Sequence, residues 1–293
     1  MASSALPTDR LDLAHEKRRK VKVIGAPTFA PLGLFRQLSN LWSYRDLLYT
    51  LSVHRVRVRY KQSLLGATWA VLQPLILMAI YWLLFSVITK VPDVNMPYAV
   101  FTFAALLPWT YFSNALTAAT GGLVTNSQLV TKVYFPREIL PLTYVFASIF
   151  DLVVSSFVLA ALMIFYRVPV TFNLLYAFPI ILILTSFVTA VALVFSATQV
   201  RFRDVGVAMP LMLQVWMFAT PVVYPLSAVP ARFQPFYILN PMVGIVENFR
   251  RVILLGTGPD FYTLGISVLF AALLLPAAYL YFKHAEATVA DII

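Results

Sequence analysis

Directly after Arg55, Arg57, Arg59 and Lys61 the chain runs from 63 to 88 without one charged residue. A helix needs about 20 apolar residues to cross the hydrocarbon of a bilayer, and this run exceeds that length. Cations so dense cost several kcal/mol inside hydrocarbon but gain about 1 kcal/mol each beside anionic headgroups, which fixes this boundary on the cytoplasmic face. The chain therefore enters a membrane at residue 63, and every later segment takes its orientation from that entry.

Further runs repeat the pattern, so the predicted spans are 63–88, 98–123, 139–166, 174–200, 205–224 and 261–282. With the N-terminus inside, the outer segments hold only Lys90, Arg167, Arg232, Arg250 and Arg251 of the 22 Lys and Arg. That asymmetry puts both termini in the cytoplasm, Lys132 and Asp204 inside, and Asp93 and Asp260 outside. At 60% hydrophobic and 12% charged residues, the chain cannot hide its apolar surface in one soluble core. A net charge of +10 would suggest nucleic acid in a soluble protein. More than half of the cations precede residue 63, however, so membrane lipids and not nucleic acid are the expected partner. The absence of Cys and the placement of His15, His54 and His284 outside the spans argue against thiol chemistry, disulfides and a metal centre.

Two segments precede the transmembrane domain, 63–293. Residues 1–33 carry Lys17, Arg18, Arg19, Lys20 and Lys22 without the apolar stretch of a cleavable signal, and are expected to form a basic, disordered cytoplasmic tail. In 34–62, Leu34, Leu38, Leu41, Leu48 and Leu51 recur at helical spacing against Arg36, Asn40, Arg45 and Asp46, the pattern of an amphipathic interfacial helix. A helix packed on a partner subunit is the other reading of that pattern. Pro74, Pro108, Pro179, Pro210 and Pro276 fall inside spans, where each removes a backbone donor and is expected to bend its helix.

The segment 225–260 does not fit a seventh span. Its apolar run, 242–255, is too short to cross and contains Glu247, Arg250 and Arg251. Asn240 and Pro241 suit a helix start, Gly256 suits its end, and Glu247 can pair with Arg250 or Arg251. The expected form is an extracellular-side re-entrant hairpin, with 233–239 descending and the helix from Pro241 returning. A short helix resting on the outer leaflet is the alternative. On the hairpin reading the three charges stand at a headgroup-level mouth.

No phosphate-binding glycine loop, nucleophile elbow, zinc motif or converging carboxylate pair occurs, so neither catalysis nor ATP hydrolysis is expected of this chain. Asp151 is the only acidic residue within the spans. Its carboxyl needs a partner, a proton or a polar cavity, and three roles stay open: a structural hydrogen bond, the lining of a hydrated path, and proton coupling. Two cytoplasmic loops carry contact chemistry. In 125–141, Asn126 or Ser127 can cap a short helix that stops before Pro136, leaving Tyr134 and Phe135 exposed beside Lys132, Arg137 and Glu138. The second loop is Arg201, Phe202, Arg203 and Asp204.

The segments LWSYRDLL from Leu41, VRYKQSLLGATWAVLQP from Val58, LVTKVYFPREILPL from Leu129, RFRDV from Arg201, and TPVVYP with ILNPMVGIVENFRRVILLG from Thr220 onward stand in consistent order and spacing. Together they resemble the membrane subunits of bacterial ABC transporters that export O-antigen, capsule or teichoic acid. The resemblance covers most of the chain and implies an all-α type-2 ABC permease fold. That fold has six transmembrane helices after an interfacial helix, with a re-entrant hairpin at 225–255. It implies a homodimer in the bacterial inner membrane, joined to two copies of a separate ATPase subunit that holds ATP and magnesium. It further implies that 126–138 forms the main ATPase contact and 201–204 a second, and that the substrate is a lipid-linked polysaccharide. Sugar rings stack on aromatic faces, which makes Trp69, Tyr81, Trp109, Tyr111, Tyr144 and Trp216 path candidates, joined by Asp151, Glu247, Arg250 and Arg251. Export of drugs or lipids, and a membrane glycan transferase, are the competing functions. The basic tail lies outside the family pattern.

Overall fold

The structure, a computed structural model, describes residues 41–61, 63–88 and 96–292. The tail 1–33, the start of the predicted interfacial helix with Leu34 and Leu38, and the predicted outer residues Lys90 and Asp93 lie outside the described residues. Among the described residues every regular element is helical. The helices are α1 (Arg45–Lys61), α2 (Trp69–Trp82), α3 (Tyr98–Thr120), α4 (Gly122–Thr125), α5 (Ser127–Lys132), α6 (Ile139–Phe165), α7 (Ala177–Arg201), α8 (Asp204–Phe218), α9 (Gln234–Ile238), α10 (Pro241–Arg250) and α11 (Phe261–Ile292). A short 3-10 turn leads into α2, and π turns extend α2 and α10.

Five stretches are long and apolar enough to cross a membrane: Gly66–Phe85, Tyr98–Thr120, Ile139–Phe165, Phe172–Arg201 and Phe261–Glu286. The predicted span 205–224 is shorter in the structure. Its helix, α8, has 15 residues and rises about 22 Å, well under a hydrocarbon core. It stops because Thr220 bonds back to the Trp216 carbonyl and the chain turns at Pro221. The other predicted spans match helices to within a few residues, and α11 runs ten residues beyond the predicted end at 282. Helices continue through Pro74, Pro108, Pro210 and Pro276. Pro179 lies in the first turn of α7, where its missing donor costs nothing.

The bundle is built around α3, which packs against α2, α6, α7, α8 and α10. It is the least hydrophobic of these five stretches, yet most of its residues are buried, whereas almost none of those in Gly66–Phe85 are. Small residues explain the difference, since Ala104, Ala105, Ala115 and Ala119 let neighbouring helices approach while Phe103, Phe112 and Leu116 fill the spaces between them. A second apolar cluster ties one end of the bundle together. Val130, Phe135 and Ile139 meet Leu193 and Ala197 of α7 and Phe282 of α11, and Leu47, Leu48 and Leu51 of α1 pack onto them.

At the opposite end, α9 and α10 form a helix-turn-helix. Asn240 caps α10 by accepting from the Met242 amide at 3.1 Å, Pro241 occupies its first turn, and Gly256, at φ +61°, ends the extension. A φ in that region favours glycine, as the sequence suggested. Ser267 of α11 donates to the Pro241 carbonyl and Asn248 donates to Thr263, so α10 runs antiparallel to α11.

Candidate functional site

Arg59 and Tyr60, in the last turn of α1, reach the one acidic side chain on α6. Arg59 donates to one carboxylate oxygen of Asp151, and the Tyr60 hydroxyl donates to the other at 2.5 Å. A carboxylate with two donors, one of them a cation, satisfies the requirement that Asp151 placed on the sequence. Burial and the Asp151 carboxylate push the Tyr60 phenol up to about 12, so it remains a donor at any physiological pH. α1 is therefore more than a surface helix. One turn earlier Arg55 donates to Asn126 Oδ1 at 2.5 Å and lies 4.5 Å over the Tyr144 ring. Of the four cations assigned to lipid headgroups, Arg55 and Arg59 are thus bonded to protein, while Arg57 and Lys61 are exposed.

The Asp151 pair forms part of the wall of a cavity of about 390 Å³ between α1, α2, α3 and α6. Trp69, Gln73 and Ser155 contribute to it, with Thr110, Tyr111, Asn114 and Thr117 on α3 and Ser148 on α6. Among the lining residues only Arg59 and Asp151 are ionised, and they bind each other, so the cavity is polar without a net charge. Three of the path candidates, Trp69, Tyr111 and Asp151, converge here. Tyr111 spends its hydroxyl on Thr185 at 3.2 Å.

The remaining path candidates lie elsewhere. Trp109 lies tilted against Phe112 in the core, and Trp216 sits edge-on to Phe112 and donates to Asn240 at 3.0 Å. Tyr81 packs beside Met217, and Tyr144 is held between Arg55 and Asn126. Arg250 does not stand at a mouth. It is 3% exposed, donates to the carbonyls of Pro221 at 2.7 Å and Val222 at 3.1 Å, and lies 3.7 Å over Phe101. Glu247 pairs with it at 3.2 Å, as the i,i+3 spacing predicted, and Arg251 donates to the Gly258 carbonyl on the exposed side.

At the end of the bundle that holds α5, Lys132, Tyr134 and the segment Arg201, Phe202, Arg203 and Asp204 are exposed. Phe135 is not: it is 6% exposed within the second cluster. Val133 is extended after α5 and the chain bends at Phe135, whose ring packs into the cluster while Val133 and Tyr134 stay exposed. Asn126 precedes α5 without capping it, because its side chain is spent on Arg55, the Gly122 carbonyl and the Tyr144 hydroxyl, and the Ser127 side chain makes no cap bond either. Arg137 and Glu138 turn to α11. Lys283 bonds Glu138 at 2.7 Å and Glu286 at 2.8 Å, Tyr279 donates to Glu138, and the Arg137 guanidinium and amide bind Glu286.

The all-helical architecture with five apolar stretches is consistent with a match of residues 46–254 to the family described as ABC-2 type transporter. The chain belongs to that family. It is 34% identical to an O-antigen export system permease protein RfbA of Myxococcus xanthus, over 42% of this chain and 46% of that protein. Two proteins of the same description from Klebsiella pneumoniae are 36% identical over 36% of this chain and 40% of theirs, and 30% identical over 48% and 54%. The chain spans about half the length of the curated relatives it matches.

Sequence reasoning missed Arg59 and Tyr60 as the partners of Asp151, and Gln73, Asn114 and Ser148 as cavity residues. Looking for partners only within the spans concealed the first two, which enter from the preceding helix. The others were legible as isolated polar residues in spans, but which face each presents is set by packing.

Proposed function

We propose that this ABC-2 chain is the membrane-spanning subunit of an ATP-driven exporter that moves a lipid-linked, O-antigen-like polysaccharide across the bacterial inner membrane. The observation that carries the proposal is the half-open cavity, lined by hydroxyls and amides and without net charge, on an otherwise apolar bundle, in a chain similar to O-antigen export permeases. Two copies would form the path, and two ATPase subunits holding ATP and magnesium would dock at the end that carries α5. Tyr134, Lys132 and the exposed Arg201–Asp204 segment supply the aromatic and charged surface for that contact. The helix-turn-helix of α9 and α10 would dip back into the outer half of the membrane as the re-entrant hairpin.

Reconstitution with its ABC ATPase partner tests the proposal. The lipid-linked polysaccharide should stimulate hydrolysis, and Tyr134→Ala should weaken ATPase retention about tenfold, in the range of an aromatic hot spot. Unchanged hydrolysis with the polymer, or stimulation by lipid lacking sugar, would defeat the polysaccharide reading. Unchanged ATPase retention in Tyr134→Ala would remove α5 and its loop from the contact.

A further inference from the structure

Four Ser and Thr residues lie on α6, and three have partners. Thr143 donates to the Leu140 carbonyl, Ser156 to the Leu152 carbonyl, and Ser155 crosses to the Ala70 carbonyl of α2 at 2.8 Å. Ser148 is fully buried with an unpartnered hydroxyl, on the cavity wall one turn before Asp151. Buried hydroxyls are normally satisfied, and an orphan facing a cavity marks a place for a ligand atom. Gln73 and Asn114, on two other helices, line the same cavity and have no hydrogen-bond partner among the described residues.

Charge and shape decide what these groups accept. Arg59 is held by Asp151, so the cavity offers an anion no free cation. It offers instead the half-exposed Trp69 indole, two amides, the Ser148 hydroxyl and the remaining lone pairs of Asp151. An apolar C–H face against an indole, with hydroxyls met by amides and a carboxylate, is the chemistry of a sugar ring. A volume of about 390 Å³ is at the small end for ligand pockets and suits a single sugar unit better than a polymer. We infer that this cavity is a subsite for one uncharged pyranose, with Ser148 bonding a sugar hydroxyl. The inference rests on the polysaccharide reading and adds to it a location and a preference for neutral over anionic ligand.

The test is binding to the full chain in phosphatidylcholine nanodiscs, which carry no sugar, followed by saturation-transfer NMR. The probes are the methyl pyranosides of glucose, mannose, galactose and rhamnose, with inorganic pyrophosphate as the anionic competitor. At least one glycoside should bind and resist displacement by pyrophosphate. Ser148→Ala should weaken it about three- to tenfold, the worth of one neutral hydrogen bond, and Trp69→Ala should abolish it. Ser156→Ala removes a hydroxyl from the same helix away from the cavity and should change nothing. Equal affinity in Ser148→Ala and wild type, displacement by pyrophosphate, or no binding by any glycoside overturns the subsite. A chain that still recruits its ATPase and exports polymer under those results loses only the subsite, whereas one that does neither loses the polysaccharide reading.

Discussion

Two arginines that each pair with a carboxylate do opposite things in this bundle. Arg250 is enclosed: two backbone carbonyls, a carboxylate and the face of Phe101 surround its guanidinium, and only 3% of it is exposed. Arg59 has one carboxylate, keeps a third of its side chain exposed and borders open space. The first arrangement closes the turn after α8 against α10. The second leaves polar capacity unused next to a hole. A cation in a membrane domain is expensive in either place, so what it touches, and whether space adjoins it, separates a structural brace from a site.

Removing the brace should have the largest effect. Arg250→Ala leaves the Pro221 and Val222 carbonyls and Glu247 without their donor, and loss of one member of a buried ionic cluster costs about 3–5 kcal/mol. The variant should lose most of its monodisperse yield in detergent, while Arg250→Lys, with a point charge in place of a fork, should recover part of it. Normal yield and melting for Arg250→Ala would break the comparison, placing Arg250 with the functional groups as the sequence reading had it.

Arg59→Ala is expected to act less on stability and more on transport. Asp151 keeps Tyr60 and borders the cavity, where water can reach it, so the cost should be about 1–3 kcal/mol. Polymer-stimulated ATP hydrolysis should fall further than melting does. Adding Asp151→Asn should restore stability, because a neutral amide tolerates the missing cation, without restoring stimulation. Full transport in Asp151→Asn alone would eliminate obligatory proton coupling and reduce this pair to a brace like Arg250.

Much of this contrast was written in the sequence, but not the part that matters most. Hydropathy located five of the six predicted spans, and Asn240, Pro241, Gly256 and the Glu247–Arg250 spacing described α10 correctly, because each depends on neighbours within a few residues. Distant contacts were invisible. Nothing local indicates that Arg59 meets a residue 92 positions away, or that Arg250 bonds carbonyls 28 and 29 positions back. The burial of Phe135 beside an exposed Tyr134 likewise depends on distant residues of α7 and α11, whereas the sequence reading left both aromatics exposed after the short helix.

The smallest expected effect is also the most discriminating. Tyr60→Phe removes only the hydroxyl that holds the second oxygen of Asp151 and leaves the ring against Phe150, at 6.0 Å between centroids. Losing one half-buried hydrogen bond should cost about 0.5–1.5 kcal/mol. In the folded protein the phenol is raised from 10.0 to about 12, chiefly by burial and then by Asp151, so the neutral donor is favoured. Its contribution is therefore fully present below pH 10 and fades as pH rises toward about 12. The melting difference between wild type and Tyr60→Phe should thus be constant from pH 6 to 9. If Asp151 serves mainly to anchor α1, this variant should lower melting and leave sugar binding alone. If Asp151 also faces ligand in the cavity, a carboxylate freed from Tyr60 reorients toward Arg59, and glycoside affinity should shift by more than the melting change predicts. A shift in both by the same free energy would mean that anchoring and binding are one function, and that the distinction from Arg250 is one of degree.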